Sequence, residues 1–582
     1  MFEPVLTGAQ MAATDRFTSE SLHIPSLVLM ERAALAVADA VGDAGKRRVP
    51  RIAVVAGRGN NGADGLAAGR ILLDRGYEVA FFTSDENVNR AIEDDSSYGT
   101  QLRILKAYGV TPIVIGDGGY SDSLSEAAPD YVIDALTGTG FHGEPSERMR
   151  AALQLIHRFS EKGAEVISVD MPSGVSATTG VACADAVNAD VTVTFGFRKT
   201  GQILYPGTTH CGQLRCVDIG ITERSLTALS GINESSHSRS DVIDYSANAK
   251  TGQPTTVRTS TSDSSEFFVT LSPNAARELL PERDPAGNKG TFGKVLVVAG
   301  SEGMAGASLL AARAAYRCGA GMVKIFTPES NRVIVQETLP EALLTTYNGG
   351  AAADDGAVLH DLLKKDLHWA DVVLVGPGLS QSETAFKIVE EILSLLSEET
   401  IRGLVIDADA LRILADRDDL RELLAERPAD TACILTPHPG ELAALLHCEI
   451  RDLKAPVTAT ESVDGTTGAL PKIRELCSQL NAVTAAKDAR TCIVSPANNP
   501  MYLNTTGSHG MATAGSGDVL AGMTAAFLAM HWDSSSEYSA AYAAACAAVC
   551  LHGAAGDLAA DRIGPRSLMA GDIADALAEL FS

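Results

Sequence analysis

Twice along the chain, short apolar runs alternate with helical segments, the pattern of a parallel sheet covered by helices on both faces. In the first series the runs fall at residues 52–56, 79–83, 110–115, 131–135, 166–170 and 191–195. In the second they fall at 294–299, 322–326, 372–375, 404–407 and 433–436, and the series closes in the helices after Asp518. Across residues 225–265 Ser, Thr, Asn and Asp dominate and the periodicity disappears, which marks a linker. The expected fold is α/β: two doubly wound domains, residues 1–224 and 266–582, joined by a polar linker over 225–265. Residues 452–471, rich in Thr and Gly, read as a surface insertion in the second domain. The 582 residues, 45% hydrophobic with 53 glycines, are enough for such domains.

A formal net charge of −26 argues against nucleic acid or an anionic membrane as partner. A polyanionic ligand would have to be gripped by local N–H groups and a few cations. Lys46-Arg47-Arg48 is the compact basic run and reads as a solvated helix end. The ten cysteines occur without Cys-x-x-Cys. Cys546 and Cys550, four apart in an alanine-rich helix, read as core packing, and a reducing cytoplasm suits such a chain. The longest apolar stretches, 519–530 and 540–551, fall short of a bilayer span. No targeting segment is read at the amino terminus.

Gly57-Arg58-Gly59-Asn60-Asn61-Gly62 follows the first apolar run and opens a helix, as a dinucleotide fingerprint does, and Asp85 ends the next run where a ribose-binding acid would sit. A dehydrogenase is one reading. The two asparagines and the following Ala63-Asp64-Gly65 add side-chain oxygens that suit a cation. Asp134-Ala135-Leu136-Thr137-Gly138-Thr139-Gly140 and Asp170-Met171-Pro172-Ser173-Gly174 follow later runs, so the three loops converge on one crevice. Seen alone, Asp134 and Asp170 could cap helices and Ser173-Gly174 could only make a turn.

Together the three motifs resemble the NAD(P)H-hydrate epimerases. The resemblance implies that Asn61, Asp134 and Ser173 coordinate a potassium ion. It implies that Asn60, Asn61, Gly62, Ala63 and Asp64, with Gly138, Thr139, Gly140, Phe141, His142, Gly143, Glu144 and Asp170, hold the hydrated nicotinamide nucleotide. Asp170 is the candidate base. Ala63 stands where the family usually has Gly, so the loop must avoid a positive φ there or tolerate strain.

In the second series, Lys289-Gly290-Thr291-Phe292-Gly293 leads into a strand, and the loop after it, Gly300-Ser301-Glu302-Gly303-Met304-Ala305-Gly306-Ala307, opens a helix. Gly376-Pro377-Gly378, Asp407-Ala408-Asp409-Ala410 and Thr436-Pro437-His438-Pro439-Gly440-Glu441 follow later strands on the same edge. Gly515-Ser516-Gly517-Asp518 closes the set at the mouth of an apolar helix. Its N–H groups and the helix end can hold a phosphoryl group while Asp518 accepts a proton from an attacking hydroxyl. The plainer reading is a helix cap, with Ser516 and Asp518 satisfying free N–H groups.

This set resembles the ADP-dependent NAD(P)H-hydrate dehydratases. The resemblance implies that Ala307, Gly378, His438 and Asp518 contact the hydrate, while Lys487, Asp488, Ala489, Arg490, Thr491 and Gly517 hold the adenine nucleotide. Asp488 replaces a family glycine and puts a negative charge beside bound phosphates. In this order the two blocks are similar to the bifunctional NAD(P)H-hydrate repair enzymes, with a Rossmann-like three-layer domain before a ribokinase-like one. Such a chain epimerises the R and S forms of hydrated NADH and NADPH. It dehydrates the S form with ADP as co-substrate and Mg2+ on the phosphates, giving NAD(P)H, AMP and phosphate. A ribokinase-like kinase for a vitamin-type alcohol, fused to a non-catalytic scaffold, is the rival. ADP against ATP and the formation of a homo-oligomer stay open.

Overall fold

Val, Ile and Phe crowd the apolar runs, and most runs become strands buried on both sides. The computed structural model describes residues 2–41, 49–116, 128–230, 267–348, 355–453, 469–496, 499–532 and 538–581. The chain divides into two units, one of Pro4–Ser264 and one of Met1–Glu3 with Ser265–Ser582.

The strands through the first unit are β1 (Glu3–Leu6), β2 (Arg51–Ala56), β3 (Glu78–Thr83), β4 (Ile113–Val114), β5 (Tyr131–Ala135), β6 (Glu165–Val169), β7 (Val191–Phe195), β8 (Arg198–Lys199) and β9 (Gln213–Val217). Seven of them form one parallel sheet in the order β4-β3-β2-β5-β6-β7-β9. Val5 and Leu6 of β1 pair in parallel with Arg198 and Lys199 of β8. Along β2, Ile52, Val54 and Ala56 enter one core with Leu29, Leu66 and Leu72, while Ala53 and Val55 enter the opposite core with Leu153 and Ile156. The sheet is therefore covered on both faces, and loops at its carboxyl edge are free to bind.

The run at 110–115 yields only the two residues of β4, which pair with the sheet's edge. β9 was not legible because none of its five residues is buried and Gln213 and Arg215 interrupt the apolar run. The linker begins later than expected: Glu223–Leu226 and Thr227–Ser230 are helical turns. Ser225 is fully buried and its Oγ accepts from Thr18 Oγ1 at 2.7 Å. Residues 231–265 of that linker lie outside the described residues.

The second unit adds β10 (Phe268–Thr270), β11 (Lys294–Val298), β12 (Met322–Pro328), β13 (Leu343–Tyr347), β14 (Val372–Val375), β15 (Gly403–Ile406), β16 (Ala432–Leu435), β17 (Val483–Ala486), β18 (Cys492–Val494) and β19 (Met501–Leu503). They run in the order β13-β12-β11-β14-β15-β16-β17-β18-β19-β10. All pairings are parallel except β17 with β18 and β18 with β19. Helix Ser516–Leu528 crosses helix Ala305–Arg317 so closely that a Cβ on Gly522 would lie 2.0 Å from Ala311 O. Helix Ala540–Ile563 is long and apolar enough to cross a membrane, longer than the run read from sequence, yet 89% of its most apolar window is buried. Of the stretch 452–471 read as an insertion, Ala469 and Leu470 are instead buried at the start of helix Ala469–Leu480, and 454–468 lie outside the described residues.

Candidate functional site

In the first unit the three motif loops follow β2, β5 and β6. A Cβ on Gly57 would lie 2.0 Å from Leu136 O, and one on Gly62 would lie 1.8 Å from Gly57 O, so this turn accepts only glycine. Helix Asn60–Asp74 begins directly after Gly59. Ala63 sits in its first turn, outside the positive-φ residues, so a methyl group costs no strain there.

Asp134 at the end of β5 has no exposed surface. Its Oδ2 accepts from Ser168 Oγ at 2.8 Å and Ser173 N at 2.9 Å, and its Oδ1 accepts from Ser173 Oγ at 2.5 Å. Thr137 N donates to Ser173 Oγ at 3.0 Å, tying the second and third loops together. Burial pushes the Asp134 carboxyl up, against the hydrogen bonds from Ser173 and Ser168. Asn61 stands against the same loop: a Cβ on Gly138 would lie 3.1 Å from its Oδ1, and its buried Nδ2 has no hydrogen-bond partner. The Asp134 carboxylate, the Ser173 hydroxyl and Asn61 Oδ1 are oxygen donors of the type a monovalent cation takes, whereas the unpaired Asn61 Nδ2 is an N–H donor and cannot ligate one.

Asp170 follows β6 with φ of 63°, a backbone conformation rare outside glycine. Gln202 Nε2 donates to its carbonyl at 2.7 Å and holds it there. Its Oδ1 accepts from Lys199 Nζ, from Thr194 Oγ1 at 3.2 Å and from Phe195 N at 3.2 Å. Lys199 is fully buried, and its remaining bonds run to Thr194 Oγ1 at 2.8 Å and Phe195 O at 3.0 Å. One carboxylate oxygen is thus fixed, and Oδ2 makes no hydrogen bond among the described residues. Burial, then the charges of Asp170 and Asp15, push the Asp64 carboxyl well up. Burial and Asp170 raise Asp15 as well, with Lys199 opposing. The sequence did not single out Lys199 or Asp15. The loop of Gly138, Thr139, Gly140, Phe141, His142, Gly143 and Glu144 lies above helix Gly8–Glu20, where a Cβ on Gly8 would be 3.0 Å from Thr139 O.

In the second unit, Gly378 with φ of 59° approaches Ala307 so closely that a Cβ would lie 2.8 Å from the Ala307 methyl. Lys487 Nζ donates to Oδ1 of buried Asp407 at 2.7 Å. A Cβ on Gly517 would lie 3.3 Å from that ammonium and 4.0 Å from Asp407 Oδ2, so lysine and glycine loop face one space. Gly515 is the helix N-cap with φ of 89° and contributes no side-chain cap. Asp518 makes no capping bond among the described residues, unlike the plainer sequence reading. Its carboxyl is pushed up to about 6, by burial first and then by Asp407, with Lys487 opposing.

His438 caps helix Pro439–Leu445, its Nδ1 accepting from Gly440 N at 2.9 Å and Glu441 N at 3.3 Å. Nδ1 therefore acts as acceptor, and Nε2 lies 2.9 Å from Glu441 Oε1. Burial and the neighbouring Lys487 and Arg412 cations lower the imidazole, while burial pushes Glu441 up to about 7 against Lys487. Asp488, exposed, turns its Oδ1 onto Ala489 N at 2.7 Å. Thr491 O accepts from Asn504 N at 2.9 Å, and Arg490 acts on the carboxyl of Asp557. Behind the glycine loop, buried His552 lies 3.5 Å from Ser516 Oγ and is pushed down to about 4 by burial.

The family of NAD(P)H-hydrate dehydratases matches residues 295–579, and the family described as YjeF-related protein N-terminus matches 26–201. The bifunctional NAD(P)H-hydrate repair enzyme of Moorella thermoacetica is 34% identical, over 98% of this chain and 96% of its own length. The chain belongs to the bifunctional NAD(P)H-hydrate repair enzymes. The Escherichia coli repair enzyme is 27% identical over 91% of this chain and 84% of its own. A solved ADP/ATP-dependent NAD(P)H-hydrate dehydratase from Bacillus subtilis, co-crystallised with ATP/Mg2+, is 29% identical. It covers 54% of this chain and 97% of its own, with a TM-score of 0.43.

As a repair enzyme the chain is an epimerase and a dehydratase of hydrated NAD(P)H. The matches run through both units, against a kinase carried by an inert scaffold. Lys199 escaped notice because a lysine in a short Arg-Lys-Thr-Gly stretch reads as surface. Asp407 and Glu441 were inside quoted motifs without a role, since only the fold puts them beside Lys487.

Proposed function

We propose that residues 1–224, with the turns to 230 packed on them, epimerise hydrated NADH and NADPH, and that residues 266–582 dehydrate the S form with ADP. In the first unit, Asn61, Asp134 and Ser173 would hold potassium, which would order the three loops electrostatically. Asn60 to Asp64 and the loop from Gly138 to Glu144 enclose the nucleotide. Asp170, with Oδ1 fixed by Lys199, moves a proton through Oδ2 as the ring carbon inverts.

In the second unit, Ala307, Gly378 and His438 place the hydrate, and Lys487 to Thr491 with Gly517 grip the nucleotide. Asp518 accepts the proton of the ring hydroxyl as its oxygen attacks the terminal phosphorus of ADP, and AMP departs. The C–O bond then breaks, the neighbouring carbon yields a proton, and the hydroxyl oxygen leaves within phosphate. Among the described residues no group of three His, Cys, Asp or Glu side chains is placed to hold a metal. Magnesium would sit on the nucleotide phosphates, whose charge it would neutralise. Ten free thiols support a reducing, cytoplasmic setting.

The observation that carries this reading is Lys487 Nζ beside Gly517, 2.7 Å from a buried carboxylate and in front of the helix that bears Asp518. The test offers both hydrate epimers to the purified chain with ADP, with ATP or with neither, and follows recovery of dihydronicotinamide absorbance. Full recovery with ADP and magnesium is expected. Equal recovery without nucleotide, or none with either, overturns the reading.

A further inference from the structure

The loops above are assigned to the hydrated nicotinamide nucleotide, and no residue of this unit is yet assigned to the 2′ position of the adenosine ribose. The loop that carries Asn60 and Asn61 also carries Arg58, and on that side of it lies a cavity of about 450 Å³. Arg58, Asn87, Arg90, Glu93 and Asp94 line it. The place is meaningful: β3 is the neighbour of β2 away from β5, and in an open parallel sheet the strand beside the glycine loop ends at the adenosine ribose.

Asp85, the acid the fingerprint would assign to the ribose hydroxyls, is buried. It is 7% exposed, its Oδ1 accepts from Asn87 N at 3.0 Å, and its Oδ2 is buried with no hydrogen-bond partner. What reaches the cavity is the other side of that turn, with two guanidinium groups and the Asn87 side. Of the two acids in the lining, Asp94 is engaged by Ser96 N at 3.1 Å and by Ser96 Oγ. Arg58 is held only by a 3.6 Å approach to Asp94, and Arg90 makes no ion pair among the described residues. Guanidinium groups match phosphate oxygens in pairs and are the preferred side chains for that anion.

We propose that this cavity receives the 2′ position of the adenosine ribose, with Arg58 and Arg90 selecting hydrated NADPH, which carries a 2′-phosphate, over hydrated NADH. The proposal rests on the epimerase reading of this unit and adds its substrate preference. Glu93 and Asp94 stand in the same lining, so a phosphate there must be held by the two guanidinium groups against the charge of the acids.

The test measures epimerisation of each hydrate by the full chain and by Arg58→Gln and Arg90→Gln. Both side chains are exposed, and the melting temperature of each variant is measured to check that it folds. For the unmodified chain KM is expected to be lower for hydrated NADPH. Each substitution should raise that KM on the order of tenfold, with kcat and the KM for hydrated NADH little changed, as for loss of a charge-assisted hydrogen bond. Adenosine 2′,5′-bisphosphate should inhibit the unmodified chain better than AMP, and this advantage should vanish in the double variant. Equal KM values in the unmodified chain, or KM values for both hydrates rising together in the variants, would overturn the proposal while leaving the epimerase intact. If the unmodified chain interconverts neither hydrate, the epimerase reading itself is wrong, and the proposal falls with it.

Discussion

Lys199, fully buried, donates from Nζ to Oδ1 of Asp170, whose backbone sits at φ of 63°. The pair fixes a strained carboxylate at the carboxyl end of β6, with one oxygen bound and one open. Breaking such a pair from one side strands a charge and costs roughly 3–5 kcal/mol, whereas replacing both partners costs much less. Lys199→Met and Asp170→Leu should each lower the melting temperature of the first unit, and the double variant should recover part of the loss. Additive losses in a double-mutant cycle would mean that the two groups are not coupled.

Asp170→Ala should suppress interconversion of the R and S hydrates by roughly 10²–10⁴-fold, the usual contribution of a positioned base. Nucleotide-dependent dehydration of the S form should continue, because that chemistry belongs to the other unit. Chromatographic separation of the epimers reads the first effect and absorbance the second. Unimpaired interconversion would remove Asp170 from the mechanism.

Asp518→Asn keeps the volume and the helix start while removing the proton acceptor. Dehydration turnover should fall by roughly 10²–10⁴-fold with little change in nucleotide affinity, since backbone N–H groups of the Gly515 to Gly517 loop and Lys487 carry the binding. A cap would behave differently: asparagine caps as well as aspartate, so a stable and fully active variant would demote Asp518 to a structural role.

The loops were legible in the sequence because their composition is dictated at close quarters. Gly57 and Gly62 press on backbone within 2.0 Å of an added Cβ, and the chemistry proposed for Asp134, Ser173 and Asp518 is open to few other residue types. The central strands were legible because both their faces are buried and their runs stay apolar. Less was visible where partners are distant in the chain. Lys199 gains its meaning from Asp170, 29 residues earlier, and Lys487 from Asp407, 80 residues earlier. The exposed β9 and the short β18 and β19 carry no continuous apolar run long enough to read and form by pairing with neighbours. Asp85 kept the position of a ribose acid but not its exposure, which no local pattern encodes.

Stability and rate should answer pH in opposite senses in the second unit. Asp518 and Glu441 are raised from 3.8 and 4.5 to about 6 and about 7, so the folded state holds their protons more tightly than the unfolded chain does. Their contribution to stability is complete below the unfolded values and is lost as pH rises through about 6 to 7. In the proposed role Asp518 acts ionised, so the dehydration rate should rise through about pH 6. Melts and rates between pH 5 and pH 8 check both limbs. Glu441→Gln should flatten the stability decline, and a decline unchanged in that variant would contradict the assignment.

The central claim is that the ring hydroxyl leaves as part of phosphate. The direct measurement uses S hydrate labelled with oxygen-18 at that hydroxyl, incubated with ADP and magnesium and the Asp170→Ala chain, in which epimerisation cannot wash out the label. Mass spectrometry of the products should find the label in inorganic phosphate, one labelled oxygen for each dihydronicotinamide regained. Label released into water, with unlabelled phosphate, would contradict phosphorylation of the hydroxyl and with it the role given to Asp518.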